Sequence, residues 1–310
     1  MPTVLLVTYM RNGEQFTLEL EDIADMLFNL FGQSFEVNLC CEADIEIKTQ
    51  KPYPIKQRLY EGTKYQRLLS LMKNDDSDFY FSIDNDIRGD IDHMREFVKV
   101  CAKDSIDIAW GKIRARNHKG LVSGLVAVDK LLSHNILRPL LWWLGVGITI
   151  PGQCFWIKRE AFVGHLPEID TFLDDLAVGL NVSNRLKSLK IKISSFVLGY
   201  EIPNETFMGL FNQRKRWAMG YVSVLKGSPS TSDRVKVVIH GIAYHLLWVV
   251  SLSVCFYLAR LNWVYALAYL GVMSFIIGGR KIGYAFLYQL VFPIFHICWV
   301  VTVLLGRGDK

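Results

Sequence analysis

The sequence predicts an α/β domain with a Rossmann-like, mostly parallel sheet, followed by α-helices that cross a membrane. Short apolar runs of strand length alternate with amphipathic helical patterns in the first two-thirds of the chain. The last third holds three long apolar segments, residues 237–259, 262–278 and 283–305. The chain of 310 residues is 51% hydrophobic, which is high for a soluble protein. We therefore expect two domains, residues 1–230 and 231–310.

The first 41 residues predict a right-handed βαβ unit. Residues 4–9 form a continuous apolar run, which is typical of a buried parallel strand. Apolar residues then recur at spacings of three and four over residues 14–30, which indicates an amphipathic helix. Residues 35–41 read as a second strand. Strand, helix and strand in this order favour a doubly wound sheet.

Further elements follow with the same kinds of pattern. Residues 48–62 contain Pro52 and Pro54 and are predicted to be a loop. We expect helices over residues 62–74 and 90–102, and strands over residues 78–84 and 106–113.

Residues 137–150 are strongly apolar, but Pro139 and two glycines interrupt them. The segment is too short to span a bilayer, so we expect an interfacial helix followed by a strand.

Two carboxylates stand where the strand of residues 78–84 must end. Asp84 and Asp86 flank Asn85 in an Asp-x-Asp triplet. Carboxylates at the carboxyl end of a strand are hard oxygen ligands that suit Mg²⁺ or Mn²⁺ and leave coordination positions for diphosphate oxygens. The alternative is a polar turn, since Asp and Asn favour turns for local hydrogen-bonding reasons.

The charge pattern indicates a membrane partner and no nucleic acid. The net charge is +5, and basic residues precede or separate the apolar segments, including Arg234, Lys236, Arg280 and Lys281. The positive-inside rule therefore places residues 1–230 in the cytoplasm and makes the chain an integral membrane protein. The six cysteines have no C-x-x-C or zinc spacing and are predicted to be reduced packing residues.

Three more motifs follow the Asp-x-Asp in the chain. Residues 151–162 combine a glycine turn, a strand and a basic pair. Asp174 and Asp175 stand at a predicted helix start, where the helix dipole favours ionised carboxylates. Gln213, Arg216 and Trp217 are spaced i, i+3 and i+4, and so share one helical face.

In this order the motifs resemble those of the membrane-bound family 2 glycosyltransferases, which include cellulose, chitin and hyaluronan synthases. The shared pattern is an early acidic residue, Asp-x-Asp, Asp-Asp and Gln-x-x-Arg-Trp before membrane helices, and it covers roughly residues 1–220. The resemblance implies a GT-A fold, a nucleotide-diphosphate sugar donor, Mg²⁺ or Mn²⁺, and inversion at the anomeric carbon.

The resemblance also implies a role for each matching residue. Asp86 and Asp84 would bind the metal, and Asp175 would be the general base, with Asp174 as its neighbour. The residues implied for the donor nucleotide are Thr8, Tyr9, Glu42, Lys64, Asp84 and Arg216. Those implied for the acceptor are Gly152, Gln153, Gln213 and Trp217. The early acidic motif reads Cys41-Glu42-Ala43-Asp44, so Asp44 stays an alternative to Glu42.

Three functions are open at this point. The first is transfer of a sugar from a UDP-sugar to a growing β-linked polysaccharide at the cytoplasmic membrane face. The second is transfer of one sugar to a polyprenyl phosphate or a glycerolipid. The third is a non-catalytic membrane anchor or scaffold, in which the basic helix binds lipid headgroups or a partner. The sequence does not predict an oligomeric state.

Overall fold

In this computed structural model the structure describes residues 2–11, 13–42, 45, 51–116, 120–228 and 230–304. The chain divides into two compact units, which we describe separately. The first unit comprises Met1–Arg114 and Thr149–Glu201, and the second comprises Ala115–Ile148 and Ile202–Lys310. The segment from residue 202 to residue 230 therefore belongs with the C-terminal helices. The predicted membrane boundary at residue 230 stays a prediction.

The first unit contains a sheet of eight strands in the described residues. In chain order they are β1 (Val4–Met10), β2 (Phe35–Cys41), β3 (Ile55–Leu59), β4 (Phe79–Asp84), β5 (Arg88–Gly89), β6 (Ile108–Ala115), β7 (Cys154–Lys158) and β8 (Ile191–Glu201). Their order in the sheet is β3-β2-β1-β4-β7-β6-β8-β5. The apolar run of β1 lies in the middle of the parallel part and is almost fully buried.

The α-helices follow in the same numbering. They are α1 (Leu18–Phe31), α2 (Lys64–Asn74), α3 (Ile91–Lys103), α4 (Leu121–Leu132), α5 (Arg138–Trp143), α6 (Arg159–Phe162), α7 (Asp174–Asn184), α8 (Phe207–Gly227), α9 (Thr231–Gly241), α10 (Leu247–Leu261), α11 (Trp263–Gly278) and α12 (Ile282–Leu304). Single π-helical turns join α4 to α5 and α9 to α10.

The prediction of a mostly parallel sheet is wrong for half of it. The pairs β1–β2, β2–β3 and β1–β4 are parallel, as the βαβ pattern predicts. The strand β7 runs antiparallel to both β4 and β6, and β5 runs antiparallel to β8. The sheet is therefore mixed, because β7 enters next to β4 from the opposite direction.

The predicted loop over residues 48–62 contains a strand, β3, at the edge of the sheet. Both prolines precede it, and the Pro54 carbonyl accepts a hydrogen bond from the Val37 N–H. The strand is short and carries Lys56 and Arg58, so it lacks the apolar run on which the prediction relied. Charged edge strands of this kind resist further pairing.

The helix of residues 138–143 is confirmed, but the strand predicted directly after it is wrong. Residues 146–153 contain no strand, and β7 begins only at Cys154. Two glycines and Pro151 stand in this interval. Proline lacks the N–H that a sheet ladder requires, so pairing starts beyond it.

In the second unit, α4, α10, α11 and α12 pack around an apolar core with α8. This core includes Leu125, Leu210, Trp248 and Phe292. Within the described residues, one helix, Trp263–Cys298, is long and apolar enough to cross a membrane, and α9 with α10 would be a second if their bent pair is one span. The three predicted crossings stay a prediction.

Candidate active site

Three neighbouring parallel strands end at the same edge of the sheet. In the register of β1 and β4, Tyr9 is opposite Asp84, and Thr8 is opposite Ile83. The backbone N–H of Glu42, directly after β2, donates to the Met10 carbonyl. Four predicted nucleotide residues therefore lie at one edge of the sheet, where open α/β sheets bind ligands: Thr8, Tyr9, Glu42 and Asp84. Among the described residues, the buried Thr8 hydroxyl has no hydrogen-bond partner.

Lys64 connects three of the predicted motifs. It is the first residue of α2, which begins with a capping box formed by Thr63 and Gln66. Its ammonium donates to Asp84 Oδ1 at 2.7 Å and to the Gly152 carbonyl at 2.8 Å. Asp174 Oδ2 lies 3.1 Å from the same nitrogen. One partly buried cation thus joins the end of β4, the glycine turn before β7 and the start of α7.

The same ammonium lies 5.0 Å from the centre of the Tyr9 ring, within the range of a cation–π contact. Burial raises the pKa of the Tyr9 phenol well above its usual value, so this ring is neutral.

Asp174 and Asp175 occupy the first turn of α7, as the sequence predicts. Asp174 is buried, whereas Asp175 is partly exposed and accepts the Leu176 N–H at 2.9 Å. Gly152 packs directly against this turn. A Cβ on Gly152 would lie 2.9 Å from the Asp175 Cβ, which is closer than real Cβ atoms approach. Only glycine permits the turn to come this near to the two carboxylates.

The carboxylates outnumber the cation that holds them. The pKa of Asp174 is raised to about 7. Burial is the largest cause, Asp175 and Asp84 also raise the pKa, and Lys64 acts to lower it. For Lys64, burial alone would lower the pKa, but Asp174 and Asp84 outweigh burial and raise it. Lys64 is therefore a permanent cation with an excess of negative charge around it.

Asp86 lies in the turn after β4, and its side chain is exposed. Asn85, between the two aspartates, donates to Glu14 Oε2 at 3.4 Å. No group of three or more His, Cys, Asp or Glu side chains is arranged to hold a metal within the described residues. Mg²⁺ needs only one or two protein carboxylates when phosphate oxygens supply other ligands. Asp84 and Asp86 fit that donor set.

Glu42 is half-exposed and forms an ion pair with Arg67 at 3.0 Å. The alternative residue, Asp44, lies outside the described residues. Arg67 was not predicted from the sequence, although it stands on α2 three positions after Lys64 and so shares its helix face.

Glu201, the last residue of β8, was not predicted either, and it accepts a hydrogen bond from Gln153 Nε2 at 3.1 Å. The Gln153 carbonyl accepts a hydrogen bond from the backbone N–H of Asp84, the last residue of β4, at 2.9 Å.

Gln213, Arg216 and Trp217 all lie on α8, in the second unit. Arg216 is exposed, and the other two are partly exposed. Gln213 Oε1 accepts a hydrogen bond from Asn204 at 3.0 Å. The helix and the shared face are as predicted. Their meeting with the carboxylates of the first unit stays a prediction.

Comparison with solved structures supports the fold. The mannosyltransferase PcManGT from Pyrobaculum calidifontis, in complex with GDP-mannose and Mn²⁺, aligns with a TM-score of 0.54 at 12% identity, over 99% of this chain and 88% of that chain. This likeness shows a GT-A-like α/β domain followed by a helical region. At this identity it shows the fold alone.

Two further structures align less well. Glucosyl-3-phosphoglycerate synthase from Mycobacterium tuberculosis, with Mn²⁺, UDP and phosphoglyceric acid, gives a TM-score of 0.48 at 13% identity over 74% of this chain and 80% of that chain. TarS residues 1–349 from S. aureus gives 0.47 at 12% identity, over 99% of this chain and 93% of that chain. No curated protein matches the sequence.

A family model described as glycosyl transferase family group 2 matches residues 81–304, which is more than half of the chain. The match begins within β4 and includes the Asp-x-Asp triplet, the aspartate pair of α7 and the whole of α8. The chain therefore belongs to glycosyl transferase family group 2.

Proposed function

We propose that this protein is an inverting, metal-dependent glycosyltransferase that transfers a sugar from a UDP-sugar to a growing β-linked polysaccharide at the cytoplasmic membrane face. The observation that carries the proposal is the Lys64 ammonium, which lies within 2.7 Å of Asp84 and 3.1 Å of Asp174. It brings the Asp-x-Asp motif and the aspartate pair, distant in sequence, into one cluster.

Asp84 and Asp86 are the proposed ligands of Mg²⁺ or Mn²⁺. The metal would neutralise the charge that develops on the diphosphate leaving group. Solved structures of the same fold were crystallised with Mn²⁺ or Mg²⁺, which supports this assignment. Thr8, Tyr9 and Glu42 lie on or directly after neighbouring strands at the same sheet edge and are the proposed contacts of the nucleotide.

Asp175 is the proposed general base. It takes the proton from the acceptor hydroxyl while that oxygen attacks the anomeric carbon, and direct attack inverts the configuration. Asp174 is buried and held by Lys64, so it is suited to anchor the turn and not to meet the acceptor. Gly152 packs against the aspartate pair, and Gln153 is hydrogen-bonded to the end of β4. Both are proposed to contact the acceptor.

In the second unit, Arg216 is proposed to pair with the diphosphate, because guanidinium groups match phosphate oxygens. Gln213 and Trp217 are proposed to bind the acceptor, by hydrogen bonds and by stacking against a sugar ring. Large apolar side chains are exposed along the C-terminal helices, including Phe256, Trp263 and Phe275. Exposed apolar side chains of this kind support contact with a bilayer.

The second candidate is transfer of one sugar to a polyprenyl phosphate or a glycerolipid. It is favoured by exposed apolar side chains in and before the first turn of α8, the helix that carries Gln213. Met208 in that turn is 68% exposed, and Ile202, directly after β8, is 61% exposed. A lipid-linked acceptor would cover such surface. The non-catalytic anchor explains the basic helix but leaves both carboxylate groups without a role.

The deciding experiment incubates the purified full chain with Mn²⁺, a panel of nucleotide sugars and saccharide or polyprenyl-phosphate acceptors, and analyses the product by mass spectrometry. A ladder of masses is expected for the polysaccharide, and a single glycolipid would favour the second candidate. If UDP release is absent and neither UDP nor Mn²⁺ raises the melting temperature, the anchor is the better account, because a ligand that binds only the native state stabilises it.

A further inference from the structure

A second charged cluster lies within the second unit and is largely buried. It joins Asp129 on α4, Arg214 on α8 and Tyr288 on α12. Arg214 is one residue after Gln213 and three before Trp217. Three helices that are distant in sequence therefore meet at one carboxylate.

Both oxygens of this carboxylate are used. Asp129 Oδ2 accepts a short hydrogen bond from Arg214 Nη2, and Asp129 Oδ1 accepts the Tyr288 hydroxyl at 2.6 Å. The Arg214 side chain is only 5% exposed and that of Asp129 is 19% exposed. Burial alone would raise the pKa of Asp129, but the Arg214 guanidinium and the Tyr288 hydroxyl outweigh burial and lower it. The aspartate is thus ionised and fully paired.

A buried ion pair of this kind is weak as a source of stability. Removing two charges from water is costly, and replacing a buried ion pair by apolar residues of similar volume is often neutral or even stabilising. The cluster is therefore better explained by the geometry that it imposes on its neighbours. Tyr288 packs against Trp248 and Phe292 in the core, and the Arg214 guanidinium contacts Trp217.

The Arg214 guanidinium carbon lies 4.4 Å from the centre of the Trp217 ring. At this distance a planar guanidinium packs against an aromatic face by cation–π and stacking contact. The two residues are spaced i and i+3 on α8, so they share a helix face. Trp217 is partly exposed, so burial alone does not fix the orientation of its ring.

We propose that Asp129 and Tyr288 form a clamp that holds the Arg214 guanidinium against Trp217 and so sets the plane of the indole that receives the saccharide acceptor. Asp129, Arg214 and Tyr288 are positioning residues, not catalytic ones. This inference rests on the acceptor role of Trp217 in the proposed function. A sugar stacks on one face of an aromatic ring, so a tilted ring loses affinity for the acceptor while the donor site is unchanged.

The first test measures the ring directly and needs no activity. The full chain is labelled with 5-fluorotryptophan, and the Trp217 signal is assigned in the ¹⁹F spectrum from its loss in Trp217→Phe. We expect Asp129→Asn to shift or broaden that signal, and Tyr288→Phe to do so less. The matched control is Tyr269→Phe, which removes a tyrosine hydroxyl bonded to Ser251 at 2.8 Å in the same unit.

An unchanged Trp217 signal in both Asp129→Asn and Tyr288→Phe overturns the clamp, as does an equal change in Tyr269→Phe. If Asp129→Asn does not fold, Tyr288→Phe decides, because it removes one hydrogen bond and leaves the ion pair in place.

The second test uses kinetics. We expect Asp129→Asn to raise the KM for the acceptor about tenfold and Tyr288→Phe about threefold, with the donor KM unchanged, as for the loss of one coupled contact. In a double-mutant cycle, Asp129→Asn combined with Trp217→Ala should be no worse than Trp217→Ala alone. Additive losses overturn the clamp. If Trp217→Ala itself leaves the acceptor KM unchanged, the proposed acceptor role of Trp217 fails, and the ¹⁹F spectrum still decides on the clamp.

Discussion

The two partly buried charge clusters of this protein each join carboxylate to one basic side chain but differ in charge balance. Around Lys64 in the first unit, Asp84, Asp174 and Asp175 contribute three carboxylates for one ammonium. Around Asp129 in the second unit, one carboxylate meets one guanidinium and one hydroxyl.

The balance decides what each cluster is suited to do. In the first, burial and excess negative charge raise the pKa of Asp174, whereas in the second, Arg214 and Tyr288 lower the pKa of Asp129. An electronegative cluster at a strand edge favours the arrival of another cation or proton. A neutral cluster with every carboxylate oxygen paired has no such demand and serves to hold helices and side chains in place. Charge balance is thus what distinguishes the proposed active site from the proposed clamp.

The largest expected effect is on catalysis in the first cluster. Asp175→Asn should lower the turnover of a UDP-sugar in the presence of acceptor by about 10³-fold, the scale of a lost general base. The shift in melting temperature produced by UDP and Mn²⁺ should persist, because donor binding does not use Asp175. The control is Asp170→Asn, an exposed aspartate just before α7. Turnover close to that of the unmodified protein would remove Asp175 from the base role.

The next effect is on stability. Lys64→Met leaves its carboxylates without their cation, and breaking a buried pair in this way typically costs about 3–5 kcal/mol. We expect a large fall in melting temperature and a larger stabilisation by Mn²⁺ than in the unmodified protein, because the metal then supplies the missing positive charge. Lys73→Met is the matched control, since Lys73 lies on the same helix and pairs with Glu168 at the surface. If Mn²⁺ raised the melting temperature of Lys64→Met and Lys73→Met equally, the excess negative charge around Lys64 would not attract the metal.

The second cluster should respond to paired substitution in a different way. Arg214→Met alone leaves Asp129 buried with an uncompensated charge and should destabilise the protein by about 3 kcal/mol. Arg214→Met with Asp129→Leu removes both charges and should recover most of that loss, measured by chemical denaturation. Acceptor affinity should stay low in the double variant because the guanidinium is gone. Recovery of acceptor affinity together with stability would show that the pair serves the fold alone.

The last effect is a gradual one, a slope of stability with pH. The pKa of Asp174 is about 7 in the folded protein, above its ordinary value of 3.8, so between these pH values the folded state holds a proton that the unfolded state has lost. The free energy of unfolding of the metal-free protein therefore falls as pH rises from about 4 to 7, and Asp174 contributes at most about 1.4 kcal/mol per pH unit to this fall.

Asp174→Asn should flatten this dependence in thermal unfolding of the metal-free protein. Asp92→Asn, an exposed aspartate on α3 whose side chain is 90% exposed, should not. A slope of stability that is the same in Asp174→Asn and in the unmodified protein would mean that Asp174 is ionised throughout this range.

Local patterns in the sequence were sufficient for several elements and for the motif positions. The apolar run of β1 and the periodicity of α1 record burial directly, and α7 begins at Asp174 because paired acidic residues suit a helix N-terminus. The helical spacing from Gln213 to Trp217 is likewise local. These features need only neighbours along the chain.

Tertiary structure alone decided which distant residues meet. No local pattern indicated that β7 would run antiparallel beside β4, or that a charged segment after Pro54 would become the edge strand β3. The contacts of Lys64 with Asp84 and Asp174, and of Asp129 with Arg214 and Tyr288, join separate elements. Such contacts depend on strand register and helix packing, which are set by the burial of the whole core. The sequence therefore supplied candidate residues one by one, whereas the charge balance among them came only from the tertiary structure.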